Sequence, residues 1–266
     1  MTDRTRPKAE RVCVTDPWNL SWVMPAEGGG IVSSSPQAER QTRHRRSQVI
    51  VLTGGDEVLA GHTPPLPDEA VVIAADSGLA AAATLHLDVD RVVGDMDSVD
   101  ATALGAAQEA GAVIERHPAD KDRTDLAIAL DAALEHAPQR IVVVGGHGGR
   151  LDHLLANALL LASPEYGDVE VVAHMGGATV TVVRASAAAA DLSGVPGELV
   201  SLLPTHGPAR GVTTTGLRFA LDREDLLPGS SRGVSNVFTA THATVHVDGG
   251  LLLAVQPHAS ARTRNA

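Results

Sequence analysis

The strongest constraint on the fold is a unit repeated between residues 49 and 162: a short β-branched run, a polar or glycine turn, then an Ala/Leu-rich stretch. Val49-Ile50-Val51-Leu52 runs into Thr53-Gly54-Gly55, Val71-Val72-Ile73 into Asp76-Ser77-Gly78, and Val92-Val93 into Gly94-Asp95. Ala112-Val113-Ile114 follows, and Ile141-Val142-Val143-Val144 runs into Gly145-Gly146. Segments 79–87, 101–110, 124–136 and 151–162 between them read as helices. Continuous apolar strands joined by helices predict a mainly parallel sheet covered on both faces. The expectation is a three-layer α/β domain over residues 47–178. Such sheets bind ligands outside the carboxyl ends of their strands, and each unusual polar cluster stands at such an end.

Near residue 179 the rhythm changes. Thr179–Val183, Leu199–Leu203, Val212–Thr215, Val237–Thr241, Thr244–Val247 and Leu251–Val255 are short strand candidates separated by Gly, Pro and Asp-Gly-Gly turns. With no long helix among them, they predict a smaller all-β domain, sandwich or barrel-like, over 179–258, then a tail at 259–266. Residues 1–46 show neither period and contain Gly28-Gly29-Gly30 and the basic cluster Arg43-His44-Arg45-Arg46. They are expected to form a disordered N-terminal extension, having too little patterned apolar surface to offset ordering entropy.

Charge narrows the functional classes. The net charge is −11, yet residues 1–46 carry +3, so the remainder carries −14. An acidic body of this kind repels a phosphate backbone, and no nucleic-acid partner is expected. No stretch approaches the roughly 20 apolar residues of a membrane span, and no membrane partner is expected. A single cysteine, Cys13, leaves no internal disulfide and no zinc site built from several thiolates. The cytoplasm is the expected compartment. An acidic protein that handles phosphates would need metal ions to offset the repulsion.

Three clusters carry chemistry. In Gly94-Asp95-Met96-Asp97-Ser98, two carboxylates spaced i, i+2 after a buried strand can converge on one cation, and hard oxygen ligands suit Mg²⁺. Asp side chains capping the next helix would explain the same turn. Asp120-Lys121-Asp122-Arg123-Thr124-Asp125 opens a helix and holds the only lysine beyond residue 46, at a helix N-terminus where phosphates are favoured. It also reads as a helix start within a solvated charge run. Gly145-Gly146-His147-Gly148-Gly149-Arg150-Leu151-Asp152-His153 would let backbone N–H groups approach an anion, with Arg150 offering bidentate contact to phosphate. It matches neither a Walker A loop nor a dinucleotide fingerprint. His147 and His153 read as loop and helix-surface residues. Together, along one sheet edge, the three clusters form a phosphoryl-transfer constellation.

The set Ala75-Asp76-Ser77-Gly78, Gly94-Asp95-Met96-Asp97-Ser98, Lys121-Asp122-Arg123-Thr124-Asp125 and Gly148-Gly149-Arg150-Leu151-Asp152-His153 closely resembles the thiamine pyrophosphokinase family. Gly233-Val234-Ser235-Asn236 resembles that family's Ser-Asn element, and the likeness spans about residues 48–257. It implies a homodimer that transfers the β,γ-diphosphate of ATP to the hydroxyl of thiamine and releases AMP. By the same resemblance, Asp95, Asp97 and Asp125 would hold Mg²⁺, with Asp76 beside them supporting waters or substrate. Gly149, Arg150 and Asp152 would belong to the nucleotide pocket, while Lys121 and Thr124 would border the diphosphate. Ser235 and Asn236 would line a thiamine pocket at the dimer interface. Asp97 or Asp122 could assist deprotonation, with Asp125 and Arg150 completing the catalytic set. The phosphate-side motifs alone also suit a diphosphokinase for another alcohol, such as a hydroxymethylpterin. A non-catalytic relative should have lost some of Asp95, Asp97, Asp125 and Arg150, and all four are present.

The chain departs from the family in two places. Ser77 stands where the family often has glycine. Where animal members place a tryptophan that stacks on thiamine, this chain reads Gly250-Leu251-Leu252-Leu253-Ala254-Val255, so aliphatic packing would have to replace the stack.

Overall fold

The computed structural model describes residues 47–56, 65–67 and 69–258. The expected extension at 1–46 and the tail at 259–266 lie outside the described residues. The β-branched runs form β1 (Gln48–Thr53), β2 (Val71–Ala75), β3 (Arg91–Gly94), β4 (Val113–Arg116) and β5 (Arg140–Gly145). A parallel strand that sequence reading missed, β6 (Glu170–Met175), continues the series. The helices are α1 (Leu79–Leu85), α2 (Ala101–Glu109), α3 (Asp125–Leu134) and α4 (Leu151–Leu161).

Alternation along the central strands builds two cores. Val49 and Val51 of β1 face α3 and α4, meeting Leu126, Ala129, Leu130 and Ala133 of α3 at helical spacing. Ile50 and Leu52 face the other way, onto Leu79 and Ala82 of α1 and the inner side of α2. Both faces are therefore apolar, which is why these strands read as unbroken hydrophobic runs. Register is direct: Val51 stands beside Ile73 of β2 and Val143 of β5. Asp100 starts α2 by accepting the Ala103 N–H at 2.9 Å, so the acid that caps this helix is neither Asp95 nor Asp97.

The remaining strands are β7 (Ala178–Arg184), β8 (Ala190–Ser193), β9 (Leu199–Pro204), β10 (Ala209–Thr215), β11 (Glu224–Leu226), β12 (Asn236–Val237), β13 (His242–His246) and β14 (Leu251–Pro257). They give the expected smaller β-sandwich after the α/β layers, but the two share one sheet. β7 returns antiparallel on β6, and among the described residues a ten-stranded sheet runs β12-β9-β14-β7-β6-β5-β1-β2-β3-β4. The order β11-β10-β13-β8 makes the facing sheet. Val200, Leu202, Leu252 and Ala254 of the large sheet pack on Val212, Val245 and Phe238 across the sandwich. Leu251 and Leu253 of the same strand point back into the α/β core. Residues 251–254 are thus taken up by packing on both faces, with Val255 only partly buried.

Candidate active site

The chain order places β5 on the far side of β1 from β2, so the sheet has its switch point between β1 and β5. A crevice is expected outside the carboxyl ends of those strands. A cleft of about 550 Å³ opens there, lined by residues that follow β1, β2, β3 and β5 and by the start of α3.

At the end of β2 the backbone turns sharply into one 3-10 turn, Asp76–Gly78, with Asp76 at φ 46. Gly78 makes this possible, because a Cβ there would overlap the Leu52 carbonyl. Left-handed backbone at a non-glycine residue is costly and is typically held by its surroundings at functional sites. After β3, Met96 takes φ 66 and sends its side chain into the core. Its neighbours Asp95 and Asp97 are thereby turned together toward the cleft. Asp95 Oδ1 accepts the Asp97 N–H at 3.2 Å, and Ser98 Oγ donates to Asp97 Oδ1 at 2.8 Å.

One carboxylate oxygen each from Asp76, Asp95 and Asp97 lie within 4.8 Å of one another. Asp76 is only 9 % exposed, and among the described residues its Oδ1 has no hydrogen-bond partner. Burial raises its pKa, and the charges of Asp125 and Asp95 raise it further. Asp95 is lowered, chiefly by the Asp97 N–H and also by Lys121. Lys121 Nζ stands 3.0 Å from Asp125 Oδ1 and 3.6 Å from Asp95 Oδ2. Burial would depress this ammonium, but Asp125 and Asp95 raise it overall. Asp76, Asp95 and Asp97 thus make an all-oxygen donor set whose chemistry fits a hard divalent cation. Asp125, also expected among the ligands, stands outside this trio, its Oδ1 3.0 Å from Lys121 Nζ.

Facing the acids, the glycine-rich loop is held open by backbone contacts. Asp56 N–H donates to His147 O at 2.7 Å, Gly146 N–H to Gly54 O at 2.9 Å, and Asn157 Nδ2 to Gly146 O at 3.1 Å. Gly146, Gly148 and Gly149 sit at φ 76, 99 and 58, values a side chain rarely tolerates. The loop feeds α4, whose N-cap residue Arg150 makes no side-chain cap, while the N–H groups of Asp152 and His153 in the first turn meet the Asp152 carboxylate. α3 is capped instead, with Thr124 Oγ1 accepting the Ala127 N–H at 3.2 Å. At the rim, Arg150 grips Asp152 through Nε at 3.2 Å and a terminal nitrogen at 2.6 Å, which brings the Asp152 pKa down to about 2.

The structure gathers Asp76, Asp95, Asp97, Thr124, Asp125, Gly149 and Arg150 on one cleft. Lys121 sits behind the carboxylates and lines a neighbouring depression rather than the cleft, and Asp152 reaches the rim only through Arg150. Asp122 does not join them. It faces a separate depression of about 480 Å³ with Glu115, His117 and Asp131, because the turn before α3 sends it away from the cleft. Ser235 and Asn236 do not join them either. They lie at β12, five strand spacings from β5, or about 24 Å at the usual interstrand distance. The Asn236 side chain is spent within the fold, accepting the Phe219 N–H at 2.9 Å and donating to the Phe219 carbonyl at 2.8 Å. Sequence reading missed Asp56 and Asn157, which line the cleft from outside every motif. Phe219, beside Asn236, is 51 % exposed, with the Arg218 guanidinium 5.7 Å from the centre of its ring.

A pocket of hard oxygen ligands opposite a backbone-amide anion loop, at the switch point of a parallel sheet, is the equipment of a metal-assisted phosphoryl-transfer enzyme. Comparison with known proteins narrows the class. Residues 66–173 match the family model for the thiamin pyrophosphokinase catalytic domain, and residues 189–252 match that for the thiamin pyrophosphokinase vitamin B1 binding domain. Thiamine pyrophosphokinase of Bacillus subtilis (strain 168) is 26 % identical over 220 residues, covering 78 % of this chain and 97 % of that protein. A crystal structure of the B. subtilis enzyme superposes with a TM-score of 0.68 at 23 % identity, covering 80 % of this chain and 100 % of that one. The thiamin pyrophosphokinase structure from Geobacillus thermodenitrificans gives 0.65 at 26 %, covering 80 % and 99 %. The chain belongs to the thiamine pyrophosphokinase family.

Proposed function

We propose that this chain transfers the diphosphate of ATP to the hydroxyl of thiamine, as a Mg²⁺-dependent homodimer in the cytoplasm. The observation that carries the reading is the meeting, in one cleft, of the carboxylate cluster and the glycine-rich loop, within a chain that matches both domains of the family. Among the described residues, no helix is long and apolar enough to cross a membrane.

Asp76, Asp95, Asp97 and Asp125 would hold Mg²⁺, which when bound supplies charge compensation for the phosphate oxygens. The remaining work falls to the chain. The loop N–H groups bind phosphate oxygens, and Arg150 closes the rim. The thiamine hydroxyl attacks the β-phosphorus in line, the new O–P bond forms as the bond to the α-phosphate oxygen breaks, and AMP departs. Of the two carboxylates expected to assist deprotonation, Asp97 lines the cleft and Asp122 does not, which favours Asp97 over Asp122 for the hydroxyl proton. Catalysis of this kind is mostly positioning and electrostatics.

Two observations support the dimer. Leu151, Leu155 and Leu159, at i, i+4 and i+8 of α4, are 68, 55 and 49 % exposed, an apolar stripe beside the cleft that covers more of the helix than the core uses. Ser235, too far from the cleft of its own chain, would reach the cleft of a twofold-related copy in an isologous pair. Phe219 would travel with it and offer a ring to the aromatic, cationic ligand.

The test is product analysis after incubation with ATP, Mg²⁺ and thiamine. Thiamine diphosphate with equimolar AMP is expected, and Asp97→Asn should lower turnover by at least about 100-fold, the scale of losing one electrostatic stabiliser. ADP with thiamine monophosphate would overturn the diphosphoryl step. Turnover of a hydroxymethylpterin in place of thiamine would overturn the substrate.

A further inference from the structure

The carboxylate cluster carries its own cation. The chain contains two lysines, Lys8 and Lys121, and only Lys121 is near the cleft among the described residues. Its side chain is 14 % exposed, with Nζ 3.0 Å from Asp125 Oδ1 and 3.6 Å from Asp95 Oδ2. Against the effect of its burial, charge and hydrogen bonding to Asp125 and Asp95 together raise the basicity of this ammonium. One ammonium thus serves two carboxylates, Asp95 and Asp125, and Asp95 belongs as well to the trio with Asp76 and Asp97. A single ammonium keeps the acids from flying apart without neutralising them. A divalent cation held by Asp95 would stand beside that ammonium, and like charges at such separations repel strongly away from bulk water.

We propose that Lys121 is the resident counter-cation of the metal-free carboxylate cluster, and that a divalent cation displaces its ammonium from Asp95 and Asp125, freeing it for a phosphate oxygen of the nucleotide. This rests on the functional reading above, and it assigns Lys121 two positions rather than one. Lys121 is here a positioning residue that competes with the metal. It holds the repelling carboxylates together before loading and weakens metal affinity in doing so.

Two measurements on the full chain test this, and neither uses ATP or thiamine. In the first, the wild-type protein is pulsed with an acetylating N-hydroxysuccinimide ester, with and without saturating Mg²⁺. Acetylation of Lys121 relative to Lys8 is then read by mass spectrometry of peptides. Mg²⁺ should raise the Lys121 ratio severalfold; an unchanged or lower ratio overturns the proposal. In the second, Mn²⁺ binding is followed by electron paramagnetic resonance. Lys121→Met should bind Mn²⁺ at least about tenfold more tightly, equivalent to ~1.4 kcal/mol. Lys121→Arg, which keeps the charge, should not. Equal or weaker binding by Lys121→Met means that the lysine props the ligands in place without competing, and overturns the proposal alone. A wild-type protein that binds no Mn²⁺ overturns it together with the carboxylate site. A protein that binds Mn²⁺ and exposes Lys121 but makes no thiamine diphosphate supports this inference and refutes the substrate.

Discussion

Gly94 and Asp76 are packed so closely that a Cβ on the glycine would stand 3.1 Å from the Asp76 Cβ, and the same Cβ would stand 3.1 Å from Asp125 Oδ1. Gly94 also sits at φ 143, in a region that only glycine occupies readily. The last residue of β3 is thus the spacer that lets carboxylates from β2 and α3 approach those of the following turn. Gly94→Ala should cost about 1–3 kcal/mol through backbone strain. It should also lower turnover by more than about tenfold, because reacting groups tolerate little displacement. Urea unfolding and steady-state rates at saturating Mg²⁺ measure the two effects, and a fully active Gly94→Ala would contradict the spacer role.

Asp76 is held where its charge is unwelcome. Its raised pKa means that, without metal, burial and the neighbouring Asp125 and Asp95 charges all disfavour the ionised form. At neutral pH that ionised carboxylate destabilises the metal-free fold. Asp76→Asn should therefore raise the melting temperature in chelator, abolish the further rise produced by Mg²⁺, and reduce turnover on the order of 100-fold. Scanning calorimetry with and without Mg²⁺ reads the first two. A variant less stable than wild type in chelator would remove Asp76 from the list of strained functional groups.

The leucine stripe on α4 gives a test of assembly. Leu155→Asp places a charge at the middle of the exposed apolar row while leaving the inner face, with Leu154, Ala158 and Leu161, untouched. Sedimentation velocity should show monomer in place of dimer, with unchanged circular dichroism. Turnover should fall by more than about tenfold if the partner completes the site. A dimer that survives the substitution would place the interface elsewhere.

His174 of β6 provides the clearest pH dependence of stability. Burial first, and then the charges of His258 and Arg140, bring its pKa from 6.5 down to about 4. Between these values the unfolded chain binds the proton and the folded chain does not. Stability is therefore full above about pH 6.5 and is lost progressively as the pH falls toward 4, by up to about 3 kcal/mol for this group. His174 Nδ1 also lies 3.2 Å from Thr179 Oγ1, which in turn is 2.9 Å from His258 Nε2, so the neutral ring has a polar partner. In urea titrations from pH 4 to 7, His174→Gln should lose this part of the acid slope. An identical slope in the two proteins would assign the acid sensitivity to other groups.

The chemistry of the site was legible because parallel strands end at it. A strand buried on both faces must be an unbroken apolar run, so the polar residue at its carboxyl end stands out: Asp76 after β2, Asp95 after β3, Gly145 at the close of β5. Composition and local spacing therefore determined the α/β order, the residue types and the kind of chemistry. β8 and β11 were harder, being short, partly polar and at sheet edges, with too few alternating positions to show a period, and the strand expected over Val237–Thr241 forms only at its start, as Asn236–Val237 of β12. β6 escaped notice, though it is the strand at which the sheet turns from parallel to antiparallel.

Tertiary structure decided what sequence spacing does not encode. Pairing β7 with β6 and β14 with β7 is long-range, and it fused the sandwich to the α/β layers through one sheet. Backbone angles at Asp76, Gly94 and Met96 chose which acids converge, bringing in Asp76 while the next turn sent Asp122 elsewhere. Side-chain identity sets what a residue can do and is written in the chain. Which residues share one volume depends on strand order and on a few left-handed turns, and those exist only once the sheet has formed.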